Sequence, residues 1–416
     1  MTKFDHKIAV ISDIHIGTSA RAKELCPTSS SKGLFDEPFL DHFEKLVDKE
    51  QLTASALILS GDITSRAQPD EFTHASAVVL RVAGLLKVPE NQIYFVPGNH
   101  DVDWAVLKAD GKKQTPAQVT MRMSQRYAPI TTTDNIFRRR NQASGSTLCD
   151  SPYAAIWQEG NLMVAALNTA SHDKHDDKVH HGYAMPLSLS WLDTELSKTA
   201  NTLDQLRVFV LHHHPIQYSD PYPEKLSGVD FSILGNASQL EALLHQHKFD
   251  LVIHGHKHVP HFRTHLVGST HPLHVLGAGS FSVDLGSNVN CAYTNQFHTI
   301  SVIGRPKGGV PVLGKLHSWG FAGPNGWIRG NHNTGMEYET GFGHFLTDAQ
   351  IQSEIHDAIK AGFALGAKSV LWSQLVNKNP MFEFVPRRSM QEALRAAAKK
   401  LKRKLATMEN GDFLIV

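Results

Sequence analysis

Cysteine is scarce: three in 416 residues, Cys26, Cys149 and Cys291, with no Cys-x2-Cys spacing among them. That excludes a disulfide framework and a thiolate zinc knuckle, and it fits reduced thiols in a cytoplasmic chain. Long apolar runs are lacking too. The run Ile8 to Ile11 stops at Ser12 and Asp13, and no later stretch approaches the roughly 18 uncharged residues of a membrane span, so a soluble, unexported protein is expected. Nor is there an excess of one charge. Lys and Arg number 41 against 40 Asp and Glu, a formal net charge of +1, which removes whole-chain basicity as an argument for nucleic acid or an anionic membrane surface. What the chain does have is histidine, 26 residues. A side chain that must find hydrogen-bond partners when buried is not used so often for packing alone, and a metal site is the first implication.

The length exceeds one ordinary domain and the 41% hydrophobic content supports a large core, so one big domain with a smaller unit is expected. The first half repeats a short apolar run, a polar cluster and a helical period. Ile8 to Ile11 leads to Asp13 and His15, Ala56 to Leu59 to Gly61-Asp62, and Ile93 to Val96 to Gly98-Asn99-His100-Asp101. With helical segments near 36–50 and 71–87 these read as β-α units, whose strand ends carry ligands. Residues 102–150 break the rhythm and read as an insertion. Strand pattern resumes at Tyr153 to Trp157 and Leu162 to Leu167, and the later strands point to a second sheet. The main domain is assigned to 1–305, a Gly-rich linker or irregular cap to 306–345, and a mainly helical extension to 346–416. Within the extension Met390, Leu394, Ala397, Leu401 and Leu405 form an apolar stripe on a basic segment. It reads first as a docked terminal helix, with a surface for an acidic ligand, lipid or partner as the second reading and a homo-oligomer contact as a further one.

Asp13, His15, Asp62 and Asn99 would meet at adjacent strand ends, joined by His212-His213-His214 after Val208 to Leu211 and by His254, His256 and His258 after Leu251 to Ile253. This mixture of carboxylate, amide and imidazole donors suits two ions of the Mn, Fe or Zn type, divalent or of mixed valence. One zinc needs only four ligands.

In identity and order, Asp13-x-His15, Gly61-Asp62, Gly98-Asn99-His100-Asp101, His213-x-Pro215 and Gly255-His256-x-His258 resemble the calcineurin-like metallophosphoesterases over roughly residues 7–303. The block Ser60 to Thr64 followed by Gln68-Pro69-Asp70-Glu71-Phe72 looks like the bacterial class III cyclic-nucleotide phosphodiesterases. The resemblance implies an α/β (or α+β) four-layer αββα sandwich with a C-terminal helical extension. It assigns Asp13, His15 and His258 to one metal, Asn99, His213 and His256 to the other, and Asp62 to both. His213 is chosen because the family histidine lies two residues before the proline. His100 would face the leaving-group oxygen, with Asp101 a second catalytic or loop-organising candidate.

The implied reaction is hydrolysis of a small, nucleotide-like phosphodiester by a hydroxide bridging the metals. The alternatives are a broad phosphomonoesterase, then a nuclease or phospholipid-headgroup hydrolase, and outside enzymes a metal-stabilised binding protein with a vestigial site. Arg138-Arg139-Arg140 offers a basic patch, but aromatic residues do not interleave with it, so nucleic acid is a less favoured partner than a small phosphoester. Tyr218 and Tyr222 are rim candidates.

Overall fold

A computed structural model describes residues 2–18, 39–107, 125–143, 147–172, 182–199, 203–216, 233–265, 271–283, 293–306, 311–408 and 412–416. Its first sheet has seven strands: β1 (Thr2–Ile11), β2 (Ala56–Leu59), β3 (Ile93–Phe95), β10 (Gln296–Arg305), β11 (Leu313–Phe321), β12 (Trp327–Arg329) and β13 (Glu339–Phe342). Their order is β12-β11-β10-β1-β2-β3, with β13 also on β11. The second has six: β4 (Ala154–Glu159), β5 (Leu162–Leu167), β6 (Leu206–Val210), β7 (Leu251–His254), β8 (His261–His265) and β9 (Leu273–Gly277), in the order β4-β5-β6-β7-β9-β8.

Alternation along the strands explains the layers. In β5, Val164 and Ala166 join the large core that includes the first sheet, while Met163, Ala165 and Leu167 face the other way. There they pack with Leu189, Leu192 and Leu196 of one helix and Leu240 and Leu243 of another. On the first sheet, β1, β2 and β3 run parallel, so each connection must cross over, and α1 (Phe39–Glu50) and α2 (Pro69–Leu85) make those crossings. Short helices α3 (Trp104–Leu107), α4 (Ala128–Thr132) and α5 (Ile136–Gln142) lie in the insertion. The outer helices of the second sheet are α6 (Pro186–Ser197) and α7 (Ala237–Gln246), which connect β5 to β6 and β6 to β7. Helix, sheet, sheet, helix is the four-layer α/β architecture expected.

The extension carries α8 (Asp348–Ala364), α9 (Trp372–Lys378) and α10 (Arg387–Lys400), with a small sheet of β14 (Val370–Leu371), β15 (Leu405–Thr407) and β16 (Phe413–Ile415). It has its own core, in which Ile351, Ile355 and Ile359 of α8 meet Met390, Leu394 and Ala397 of α10. The apolar stripe of α10 is therefore covered within the chain. Helix ends at Lys400, so Leu401 and Leu405 lie beyond it, and Leu405 opens β15.

Segment 306–345 is not the linker or irregular cap expected from its glycines. It supplies β11, β12 and β13 to the first sheet, and β11 pairs with β10 from Gln296↔Gly320 to Gly304↔Leu313. The main sheet thus runs past residue 305. The arginine run of the insertion is structural: Arg139 pairs with Glu90 at 2.6 Å, and buried Arg140 donates to the Ile93 carbonyl at 2.7 Å. Among the described residues no helix is long and apolar enough to cross a membrane. Cys149 is buried with a thiol pKa pushed up by burial; Cys26, Cys291, Tyr218 and Tyr222 lie outside the described residues.

Candidate metal centre

The strands end and their loops stay in register. Beyond β1 and β2, Asp13 N donates to Gly61 O and His15 N to Asp62 O, both at 3.0 Å. This lattice forces unusual backbone. Asp13 (φ 49°), His15 (53°), Asp62 (49°), His256 (79°) and His258 (56°) all sit in the left-handed region, which costs a non-glycine residue about 1–3 kcal/mol each. Five strained residues at one spot persist because hydrogen bonds and packing around them fix the loops. Gly98 is required there for a different reason: a Cβ would collide with the Asp62 carboxylate.

Three donor groups lie close enough to share an ion, with ligand atoms all within 4.8 Å of one another: Asp13 with His15 and His258, His15 with Asp62 and His100, and Asp13 with Asp62 and His212. His15 Nε2 lies 3.6 Å from Asp62 Oδ2 and 4.0 Å from Asp13 Oδ1, and His258 Nδ1 is 3.4 Å from Asp13 Oδ1. On the other side His256 Nδ1 is 3.1 Å from Asn99 Oδ1. The ring of His213 is centred 4.4 Å from that of His256, and the Thr169 hydroxyl lies 2.8 Å from His213 Nδ1. Asp13, His15, Asp62 and His258 thus fall in overlapping donor groups and His256 meets Asn99, while His213 is placed by its ring against His256 and its Nδ1 against Thr169.

The donors suit cations. Both ring nitrogens of buried His15 lack a hydrogen-bond partner, which is costly for an imidazole unless something else occupies them. Burial, with neighbouring imidazoles adding, holds His15 and His256 well below the usual 6.5, so both are neutral and able to ligate. Burial raises Asp13, and the nearby Asp62 carboxylate adds to this. Burial also works to raise Asp62, but His212, His100 and His15 together hold it well below the ordinary carboxylate range. Two buried carboxylates beside the neutral imidazoles of His15 and His256 form a site that a cation would stabilise.

Three neighbours have distinct positions. His100 is half-buried, with Nδ1 3.0 Å from Ser65 O and its ring 4.8 Å from that of His15 and 5.5 Å from Trp104. Asp101 is fully buried, and its carboxylate accepts from Gly98 N, Ile63 N and Thr64 N at 2.8–3.0 Å and from the Thr64 hydroxyl. Burial, then Asp62, raises its pKa to about 6 despite those donors. Such an arrangement organises the loops. His212 is the residue the proline offset passes over: its Nε2 lies 3.1 Å from Asn99 Oδ1 and 3.3 Å from Asp62 Oδ2, and its Nδ1 is 2.9 Å from Ser60 O. Its place in the His212-His213-His214 run was the available signal.

A four-layer α/β sandwich with this Asp, Asn and His cluster at its strand ends defines a metal-dependent hydrolase. Residues 6–260, more than half of the chain, match the family described as calcineurin-like phosphoesterase. The chain belongs to that family. No curated protein matches it significantly. Similar solved structures include a purple acid phosphatase from yellow lupin (Lupinus luteus), at 12% identity and TM-score 0.44, covering 76% of this chain. The chain spans about half of that protein, 52% of its length. A 5'-nucleotidase precursor from Thermus thermophilus is 12% identical over 76% of this chain and 54% of its own, with TM-score 0.37. The phosphopantetheinyl hydrolase of Mycobacterium tuberculosis is 14% identical over 66% and 88%, with TM-score 0.31.

Proposed function

We propose that the chain hydrolyses a small phosphodiester, nucleotide-like in kind, at a two-metal centre. Asp13, His15 and His258 would hold one ion, Asn99, His213 and His256 the other, with Asp62 reaching both. The observation that carries this is the overlapping grouping of Asp13, His15, Asp62 and His258, with His15 buried and without hydrogen bonds at either nitrogen. When bound, such ions neutralise phosphoryl charge and lower the pKa of a water.

The protein's own groups do the rest. Thr169 on His213 Nδ1 and Ser280 on His258 Nδ1 orient those rings. Asp101 ties the Gly98 loop to the Ile63-Thr64 loop, and so sets the distance between Asn99 and Asp62. His100, on the open side with its Nδ1 anchored on Ser65 O, presents its remaining nitrogen as the proton donor to a departing oxygen. The class III cyclic-nucleotide reading remains part of this proposal, on the motif block from Ser60 to Phe72.

Metal-reconstituted protein assayed against cyclic nucleotides, bis(4-nitrophenyl) phosphate, 4-nitrophenyl phosphate and glycerophosphodiesters tests it. The expected result is turnover of diesters, lost in Asn99→Ala. A preference for monoesters would replace the diester assignment. No turnover from a protein carrying both ions would leave a vestigial binding protein.

A further inference from the structure

Hydrolysis at the metal centre leaves one feature of the C-terminal unit unused. From Arg395 to Lys404 six of ten residues are Lys or Arg and none is acidic, in a chain whose net charge is only +1. All six are exposed. At the start of α10 Arg388 pairs with Glu392 at 2.9 Å, but among the described residues no carboxylate pairs with any of the six. Helix chemistry accounts for Lys399 and Lys400, which stand in the last turn, where cations suit the carbonyl end. It does not account for Arg395, four residues before Lys399, a spacing at which like charges repel, or for Lys402, Arg403 and Lys404, which follow the helix. Because the apolar stripe of α10 is turned onto α8, these cations occupy the face left to solvent.

An apolar tip stands beside them. The Arg403 guanidinium lies over the Phe363 ring, 4.3 Å from its centroid, which brings the basic cluster to the end of α8. There Leu365 caps the helix and is 82% exposed, the highest value of any large apolar side chain among the described residues. Ala364, Gly366 and Ala367 around it are exposed too, and exposed Lys368 follows. The turn is fixed: Gly366 N donates to Phe363 O at 3.0 Å and Ala367 N to Gly362 O at 3.2 Å, with Gly366 at φ 87°. A Cβ on Gly366 would meet no atom within 4 Å, so the tip projects into open space. A lone exposed leucine is ordinary. One held outward on a rigid turn beside unpaired cations has the chemistry of a surface that enters the headgroup region of an anionic bilayer. A polynucleotide would call for open aromatic rings among the cations, and the ring at this place, Phe363, lies under Arg403.

We propose that this end of the C-terminal unit docks on an anionic lipid surface, with Leu365 entering the headgroup region and the basic residues from Lys399 to Lys404 facing the lipid charge.

The test is co-sedimentation of the full chain with phosphatidylcholine vesicles, either pure or carrying about 30% phosphatidylserine. Binding is expected to the anionic vesicles alone, and raising the salt from about 0.1 to about 0.5 M should release most of it. Lys402→Glu combined with Lys404→Glu should weaken binding about tenfold or more, and Leu365→Ser about threefold or more. All three side chains are exposed, so the fold is expected to persist, with unchanged circular dichroism as the check. Lys49→Glu combined with Lys248→Glu makes the same change in net charge at exposed positions elsewhere, and should alter binding less than about twofold. No binding to anionic vesicles, equal binding to pure phosphatidylcholine, or equal losses in the two double variants overturns the proposal. So does binding of a single-stranded oligonucleotide, weakened by Lys402→Glu with Lys404→Glu, in a protein that ignores the vesicles. Full binding by Leu365→Ser overturns the entry of the turn.

Discussion

His100 and Asp101 are adjacent in sequence and opposite in role. One ring is half-buried beside His15; the other side chain is fully buried and accepts four hydrogen bonds from its own loops. His100→Ala is therefore expected to lower kcat by about 10²- to 10⁴-fold with both ions retained, as measured by turnover and elemental analysis on one preparation. Loss of metal in that variant would instead make His100 a ligand, as its grouping with His15 and Asp62 allows. For His212→Gln, whose native ring touches Asp62 and Asn99 without being a proposed ligand, metal affinity should fall about 10- to 100-fold in a chelator competition, because outer contacts orient the inner ones. An unchanged affinity would reduce His212 to packing. These two residues also show what was legible. Asp13, His15, Asp62 and Asn99 could be placed because each ends or follows a short apolar run. His212 could not, because an offset to Pro215 gives position along the chain, while the structure sends consecutive rings to different places: His212 towards Ser60 and Asp62, His213 towards Thr169.

Elements were legible where one face decides them. Helix α2 opens with Pro69 at its first position and Asp70 and Glu71 in its first turn, and Glu71 accepts from the backbone of Arg66 and Gln68. The block that resembles one phosphodiesterase class is thus also ordinary helix-start chemistry, which weakens it as a marker of substrate. The stripe on α10 was equally plain, since Met390, Leu394 and Ala397 recur at helical spacing. Leu394→Ala should cost about 2–5 kcal/mol of the C-terminal unit's stability, read as a shifted denaturant midpoint. A change near zero would mean that α10 docks elsewhere. Strand β11 was hidden by its glycines, which read as loop punctuation. Gly314 is there because a Cβ would strike the Phe342 ring and the Ser301 carbonyl, so the residue marks close strand packing, and only the partner strands reveal it.

The whole molecule depends on how the two sheets are joined, and this was the least legible level, because the joining residues are far apart in sequence. Arg305, at the end of β10, places Nη2 2.9 and 3.0 Å from the two carboxylate oxygens of Asp250, just before β7. Removing one member of a buried pair leaves the other charge uncompensated, so Asp250→Asn should cost about 3–5 kcal/mol by equilibrium unfolding. His298 makes the second joint: from the middle of the first sheet its Nε2 reaches Ala278 O at 2.7 Å, beyond β9, and its Nδ1 lies 2.8 Å from Ser318 Oγ on β11. Burial lowers its pKa to about 4, against 6.5 ordinarily. As pH falls, the unfolded chain takes up this proton first. The stabilisation is therefore complete above the ordinary value and is lost progressively towards pH 4, on the order of 3 kcal/mol in total. Other buried imidazoles contribute in the same direction, so the difference between wild type and His298→Gln isolates this one. Glutamine still donates to Ala278 O but does not titrate. Unfolding free energies at pH 7.5, 5.5 and 4.5 should therefore fall less steeply in the variant, and parallel curves for the two proteins would show that His298 is already protonated or exposed in the folded sandwich.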